Sequence, residues 1–186
     1  ATASPAPRCA LLEGFPRVRQ ATAELMAPLS AEDMMLQSMP DASPATWHLA
    51  HTTWFFETFI LREHLPGYRV FNDDFLRVFN SYYKQIGDHP NRARRGLFSR
   101  PTLAEVTGYR QHVEHGVAQL LKREHSAEVE SLLMLGMNHE QQHQELIVTA
   151  LKHALWSQPL QPAYQDHKKQ AHPASHGTFT RIPIRC

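Results

Sequence analysis

Residues 139 to 143 read His139-Glu140-Gln141-Gln142-His143, and far upstream stands a second histidine cluster, Trp47-His48-Leu49-Ala50-His51, inside an aromatic run. Two histidines at i and i+4 lie one turn apart on the same face of a helix, so their imidazoles can hold one ion together only if that stretch is helical. A third ligand must then come from another helix, and His51 is the residue that periodicity offers. Two segments remote in sequence must therefore both be helical and must face each other across the core.

The rest of the chain is consistent with that demand. From Cys9 to Leu29 apolar residues recur at helical spacing (Leu11, Leu12, Phe15, Val18, Ala21, Leu25), with Pro16 marking a late start rather than a kink. Ser30, followed by Glu32 and Asp33, caps a short helical piece that Met39-Pro40 ends. Ser43-Pro44 has the pattern of an N-cap followed by proline at the first helical position, opening a second helix that runs to about Glu63 before Pro66-Gly67 stops it. On that helix Trp47, His51, Trp54, Phe55 and Thr58 share one stripe, with His48 roughly 60° further round. Between Leu65 and Pro101 turn-formers crowd a long connection, and connections of that length inside a domain are most often functional. Thr102 and Glu105 have the spacing of a capping box that starts a third helix toward Lys122. Ser126 caps a fourth that runs to about Leu155 and places Leu132, Leu135, Gly136, His139, His143, Leu146, Ile147 and Ala150 on one face.

The expected fold is all-α: a four-helix bundle over residues 1–158, with a long crossover between helices two and three and a polar tail or linker over 159–186. Bundles build their metal sites from inward side chains on facing helices. Positive and negative charges nearly balance, 19 against 18, which argues against a nucleic-acid partner and for a small molecule. The two cysteines, Cys9 and Cys186, imply no disulfide framework and fit a reducing cytoplasm. No stretch approaches the ~18–20 apolar residues of a membrane span, and the start lacks an export pattern. Three of the 13 histidines, His167, His172 and His176, sit in the polar tail, so composition alone does not argue for a metal.

Any single core histidine is simply explained as a neutral side chain bonded to a neighbour. Three on facing stripes are harder to explain without an ion, because each unsatisfied buried ring nitrogen costs about 1–3 kcal/mol. His51, His139 and His143 are therefore the expected metal ligands. The zinc-metalloprotease reading of His-Glu-x-x-His fails on the residues downstream of the motif: positions 144 to 149 supply neither the glycine nor the third histidine of its elongated form, and no glutamate occurs after Glu145. Glu140 points about 100° from His139, as a carboxylate behind the ligands or at the surface. Neutral imidazoles suit iron, zinc, copper or nickel, and three protein ligands leave positions open, as catalytic sites do.

Four motifs are then found in order: Trp47 to Glu57, Phe79-Asn80-Ser81-Tyr82-Tyr83, Arg95-Gly96-Leu97-Phe98-Ser99-Arg100-Pro101, and Asn138 to Glu145. Together, over roughly residues 10–165, they resemble the N-terminal DinB-like domain of the ergothioneine sulfoxide synthases. Members of that family are non-haem iron oxygenases that use dioxygen to join the sulfur of cysteine or γ-glutamylcysteine to the imidazole of hercynine, the trimethylated betaine of histidine, leaving a sulfoxide. The resemblance implies iron(II) on His51, His139 and His143, with zinc or nickel as alternatives. His48 becomes a neighbour whose identity matters less. Gln142 would approach the betaine, and Tyr82 and Tyr83 match an aromatic pair near the iron, with loop packing as the equal alternative. Arg92, Arg94, Arg95 and Arg100 crowd the crossover, where a guanidinium fork suits the carboxylates of an amino-acid substrate. Arg92 and Arg95 are the expected substrate contacts, against the alternative of a solvated basic loop.

The resemblance also implies a C-terminal domain like the formylglycine-generating enzymes, which closes the cleft and in many members supplies a catalytic tyrosine. Nothing between His167 and Cys186 resembles the opening of that domain. The expectation is the iron-binding half of an oxidative C–S bond-forming enzyme, incomplete without that partner domain. The alternative is a free-standing DinB-like divalent-metal protein or thiol transferase without oxygenase activity.

Overall fold

The computed structural model describes residues 6–81 and 90–165. Four long helices carry the fold: α1 (Ala6–Met26), α2 (Ala45–Phe56), α3 (Leu103–Lys122) and α4 (Ala127–Ser157). A π-helical turn (Glu57–Leu61) and a last turn (Arg62–His64) prolong α2. α1 packs on α4, while α2 lies against both α3 and α4. No strand occurs among the described residues, and none of their helices is long and apolar enough to cross a membrane. The all-α bundle with its crossover between the second and third long helices is as the sequence predicts.

The local signals hold at two helix starts and fail at two. Thr102 and Glu105 form the full capping box, and the Ser126 side chain accepts from Val129 N. At α2, however, Pro44 itself occupies the N-cap position and makes no side-chain cap bond. The Ser43 hydroxyl accepts instead from Arg95 of the crossover. Pro16 does not delay α1, which runs through it from Ala6. The proline is exposed, so water can reach the carbonyl that loses its bond. The segment over 30–39 contributes only the 3-10 turn Asp33–Met35.

Glu57, on the π-helical turn, fastens the start of the crossover. Its fully buried carboxylate accepts from Tyr68 Oη at 2.8 Å, Phe71 N at 3.0 Å and Tyr109 Oη of α3 at 2.7 Å. Further on, the crossover holds short helical turns at Phe75–Val78 and Arg92–Leu97. Of the expected tail, residues 166–186 lie outside the described residues; before them, Tyr164 packs on the bundle and donates from its hydroxyl to Leu25 O of α1.

The buried face of α4 differs from the one its leucines suggest. Leu135 is 54% exposed and Leu146 39%, whereas Leu133, Met137 and Glu140 are buried. Glu140 therefore is no surface carboxylate. It is 0% exposed and accepts from Arg19 Nη1 at 2.9 Å, Arg110 Nη2 at 2.8 Å and Thr22 Oγ1 at 2.7 Å. Arg19 also reaches Thr53 of α2 and Glu114 of α3, so one polar network touches all four helices. α4 turns toward α1 to reach it, which rotates Leu135 out of the core.

Burial alone would raise the Glu140 carboxyl, yet Arg19 and Arg110, with the Thr22 hydrogen bond, hold it down at about 2. A depressed folded-state value means that the carboxylate's contribution is complete above the unfolded value of ~4.3 and is lost as pH falls toward the folded one. Replacing Glu140 by Ala leaves two buried guanidiniums without their carboxylate and is expected to cost about 3–5 kcal/mol at pH 7. Urea unfolding of wild type and Glu140→Gln should show a stability gap that narrows between pH ~4.3 and about 2. A gap that stays constant through that window would refute the assignment.

Candidate metal centre

Every residue of α2 is buried, so its histidines lie in the core whichever way they point. α4 can approach it closely because residue 136 is glycine. A Cβ there would stand 2.6 Å from Phe56 Cε1, closer than side chains tolerate, and in tight contact with Phe55 Cδ1 at 3.2 Å. One turn beyond that contact, His139 and His143 meet His48 and His51. The His51 ring centroid is 5.1 Å from that of His139 and 4.9 Å from that of His143, and His139 and His143 are 4.6 Å apart. One candidate ligand atom from each of His51, His139 and His143 falls within 4.8 Å of the others. The three expected ligands are thus brought together.

A column of flat groups fixes His51. The Arg95 guanidinium lies 3.4 Å over the Trp47 ring, Trp47 stacks on His51 at 4.5 Å and 13°, and His51 stacks on Trp54 at 5.5 Å and 15°. The cationic end draws on the electron-rich face of the indole. His51 Nδ1 lies 2.6 Å from the carbonyl oxygen of Phe79 in the crossover. A carbonyl only accepts, so the proton sits on Nδ1 and the Nε2 lone pair is free for an ion. His143 Nδ1 is 2.7 Å from His48 Nδ1.

The rings are held neutral. Burial, and the nearness of the other imidazoles, push His51 well below the ordinary histidine range. Burial and the charge of a protonated His139 would bring His143 down to about 3, and burial also lowers His139. Neutral rings keep the lone pairs that a metal needs. The donor set contains three nitrogens and no carboxylate, which fits a borderline transition metal and not calcium or magnesium. His139 Nδ1 is buried without a hydrogen-bond partner among the described residues.

The three rings wall a cleft of about 450 Å³ that Arg92, Arg95, Gln142, Ser43, Ser81 and Leu146 also line. Arg92 and Gln142 are exposed within it. Arg95 is buried, donating to Ser43 Oγ at 3.0 Å and Ser81 Oγ at 3.1 Å. Gln37 clamps the turn that carries both arginines: its amide donates to Arg92 O and Ala42 O, and its oxygen accepts from Gly96 N at 2.6 Å. Tyr82 and Tyr83 lie outside the described residues. Sequence periodicity misses His48, Gln37 and Ser43 as parts of the site. Of these only His48 carries a signal, its place three residues before His51 on a helix with no polar face.

The protease reading fails on geometry as well. Glu140, the residue that would act as base, has both carboxylate oxygens engaged by Arg19, Arg110 and Thr22 in the closed interior of the bundle. The family model of the DinB superfamily matches residues 15–147, most of the described bundle and all three histidines. The chain belongs to the DinB superfamily. A comparison with curated proteins finds no significant match.

Within this DinB bundle the spacing of α2 and α4 sets the spacing of the imidazoles. Gly136→Ala gains about 1 kcal/mol of helix propensity but overpacks Phe55 and Phe56, which typically costs about 1–3 kcal/mol, so a net loss of up to about 2 kcal/mol is expected. Metal affinity should fall with it as the helices separate, measured by zinc titration beside urea unfolding. Full affinity in the alanine variant would show that the close approach does not set the site.

Proposed function

We propose that His51, His139 and His143 hold iron(II) and that the chain is the metal-binding helical part of an oxygenase that joins a small thiol, cysteine or γ-glutamylcysteine, to hercynine. The observation that carries this reading is the convergence of three neutral imidazoles on the wall of an open cleft that also presents Arg92 and Gln142. A site closed by a fourth protein ligand would be structural; one with room beside the ion suits substrates. The order and spacing of the four motifs around those residues support the same reading.

When bound there, iron(II) retains its charge among donors that bring none, which favours a thiolate over a thiol, and it supplies the redox chemistry with dioxygen. The chain's own residues have simpler tasks. Arg92 offers a fork to a substrate carboxylate, and Gln142, one residue before a ligand, offers an amide to the second substrate. Arg95, fixed by two serines and stacked on Trp47, keeps the cleft wall positive and holds the indole against His51. The reaction closes without an external reductant. Forming the C–S bond from S–H and C–H releases two electrons, oxidising sulfur to the sulfoxide releases two more, and dioxygen takes all four to give the sulfoxide oxygen and water.

A second reading, a DinB-like divalent-metal protein or thiol transferase using zinc or nickel, asks only for the superfamily fold and the three histidines. Metal analysis of anaerobically prepared protein should give about one equivalent per chain. His143→Ala should lower affinity by more than the roughly 10–100-fold that loss of an outer hydrogen-bond partner costs. Unchanged metal content in that variant would remove the site.

An oxygen electrode separates the two readings. The iron-loaded chain is expected to bind hercynine and to consume dioxygen only when hercynine and a cysteine thiol are both present, slowly if a closing domain is required. Zinc or nickel loading with thiol transfer and no oxygen uptake would establish the second reading instead.

A further inference from the structure

We propose that His48 is a positioning residue of the metal centre: it accepts the Nδ1 proton of His143 and so presents His143 Nε2 to the ion. This rests on the metal site above, not on the oxygenase chemistry. The two Nδ1 atoms are 2.7 Å apart and buried, a hydrogen-bond distance that requires one of them to donate and the other to accept. Only one of the two arrangements suits an ion. If His143 donates, its Nε2 lone pair is free. If His48 donates, the neutral His143 ring carries its proton on Nε2 and cannot ligate.

The contrast with His51 gives the pair its meaning. The Phe79 carbonyl permits a single tautomer of His51, with or without an ion. His48 permits both tautomers of His143, so an arriving ion selects between them. The choice passes through the hydrogen bond: with the ion on His143 Nε2, the neutral His48 ring accepts at Nδ1 and carries its own proton on Nε2. That ring is among those that line the cleft. His48 is held for this task by edge contacts with Trp47 at 5.6 Å and with His143 at 4.9 Å.

Zinc titration of the full chain against a chromophoric chelator tests the assignment with wild type, His48→Leu and His48→Asn. Leucine fills the space without an acceptor, and its dissociation constant for zinc should rise roughly 10–100-fold. The asparagine amide oxygen falls near the place of Nδ1, can accept the same proton, and should restore affinity close to wild type. Long-range proton–nitrogen spectra of zinc-loaded wild type should show His143 protonated on Nδ1 and coordinated through Nε2. Those spectra decide the matter alone if the leucine variant fails to fold by circular dichroism. Wild-type affinity in His48→Leu, coordination of His143 through Nδ1, or coordination by His48 itself would overturn the assignment and leave the three-histidine site standing. A wild-type chain that takes up no zinc would overturn the site and this inference together.

Discussion

A carboxylate buried between two guanidiniums decides how the four helices face one another. Glu140 of α4 can lie in the interior only where Arg19 of α1 and Arg110 of α3 both reach it, and Arg19 can reach it only where it also meets Thr53 of α2 and Glu114 of α3. Such a network adds little net stability, because desolvating the charges costs much of what their attraction returns. Its effect is on orientation. Rotating α4 by a fraction of a turn would strand a buried charge, whereas sliding leucines past one another costs far less. His139, one residue before Glu140, and His143, three after it, are set by that fixed rotation. The glutamate of the His-Glu-x-x-His pattern thus serves the fold, and the histidines serve the site.

The opposite wall is fixed by different physics. α2 presents no polar face; its His51 is held by stacking and by a single backbone carbonyl, its His48 by a hydrogen bond to His143 and edge contacts. The His51 ring, sandwiched between two indoles, has little freedom to tilt, and the guanidinium of Arg95 closes the column from the crossover side. Burial in this aromatic surround keeps the imidazoles neutral. An ion placed there would meet neutral rings, with His51 already in its ligating tautomer, so less of its binding free energy would go into ordering that ring.

The parts of this arrangement legible in the sequence are the local ones. The Thr102–Glu105 box, the Ser126 cap and the helical spacing of His139 and His143 depend on residues a turn apart, and they hold in the structure. The three-histidine cluster is legible because polar residues on apolar stripes demand an explanation. Hydrophobicity misplaces the core face of α4 because it counts Leu135 as inside and Glu140 as outside. That rule reverses when two arginines from other helices supply the counter-charge, and nothing local to α4 announces them. Ser43 is misread for a related reason: its hydroxyl has a rival use, Arg95, which is distant in sequence. Periodicity discounts His48 because an angle of 60° from a stripe matters on a half-exposed helix, yet it means nothing on a helix buried all round.

The crossover is where fold and site become one problem. A long connection is ordinarily free to drift, but this one is tied at successive points by groups that also serve the core or the cleft. Glu57 holds its beginning, the Trp54 indole donates to Leu76 O, His51 donates to Phe79 O, Arg95 grips Ser43 and Ser81, and Gln37 clamps the turn from Arg92 to Gly96. Two of those ties belong directly to the three-histidine cluster: the Phe79 carbonyl sets the His51 tautomer, and Arg95 caps the aromatic column. Displacing the crossover would therefore alter the donor set as well as the cleft above it. The residues that line the cleft from the crossover and the histidines of the cluster are mechanically coupled, even though they lie far apart in the sequence.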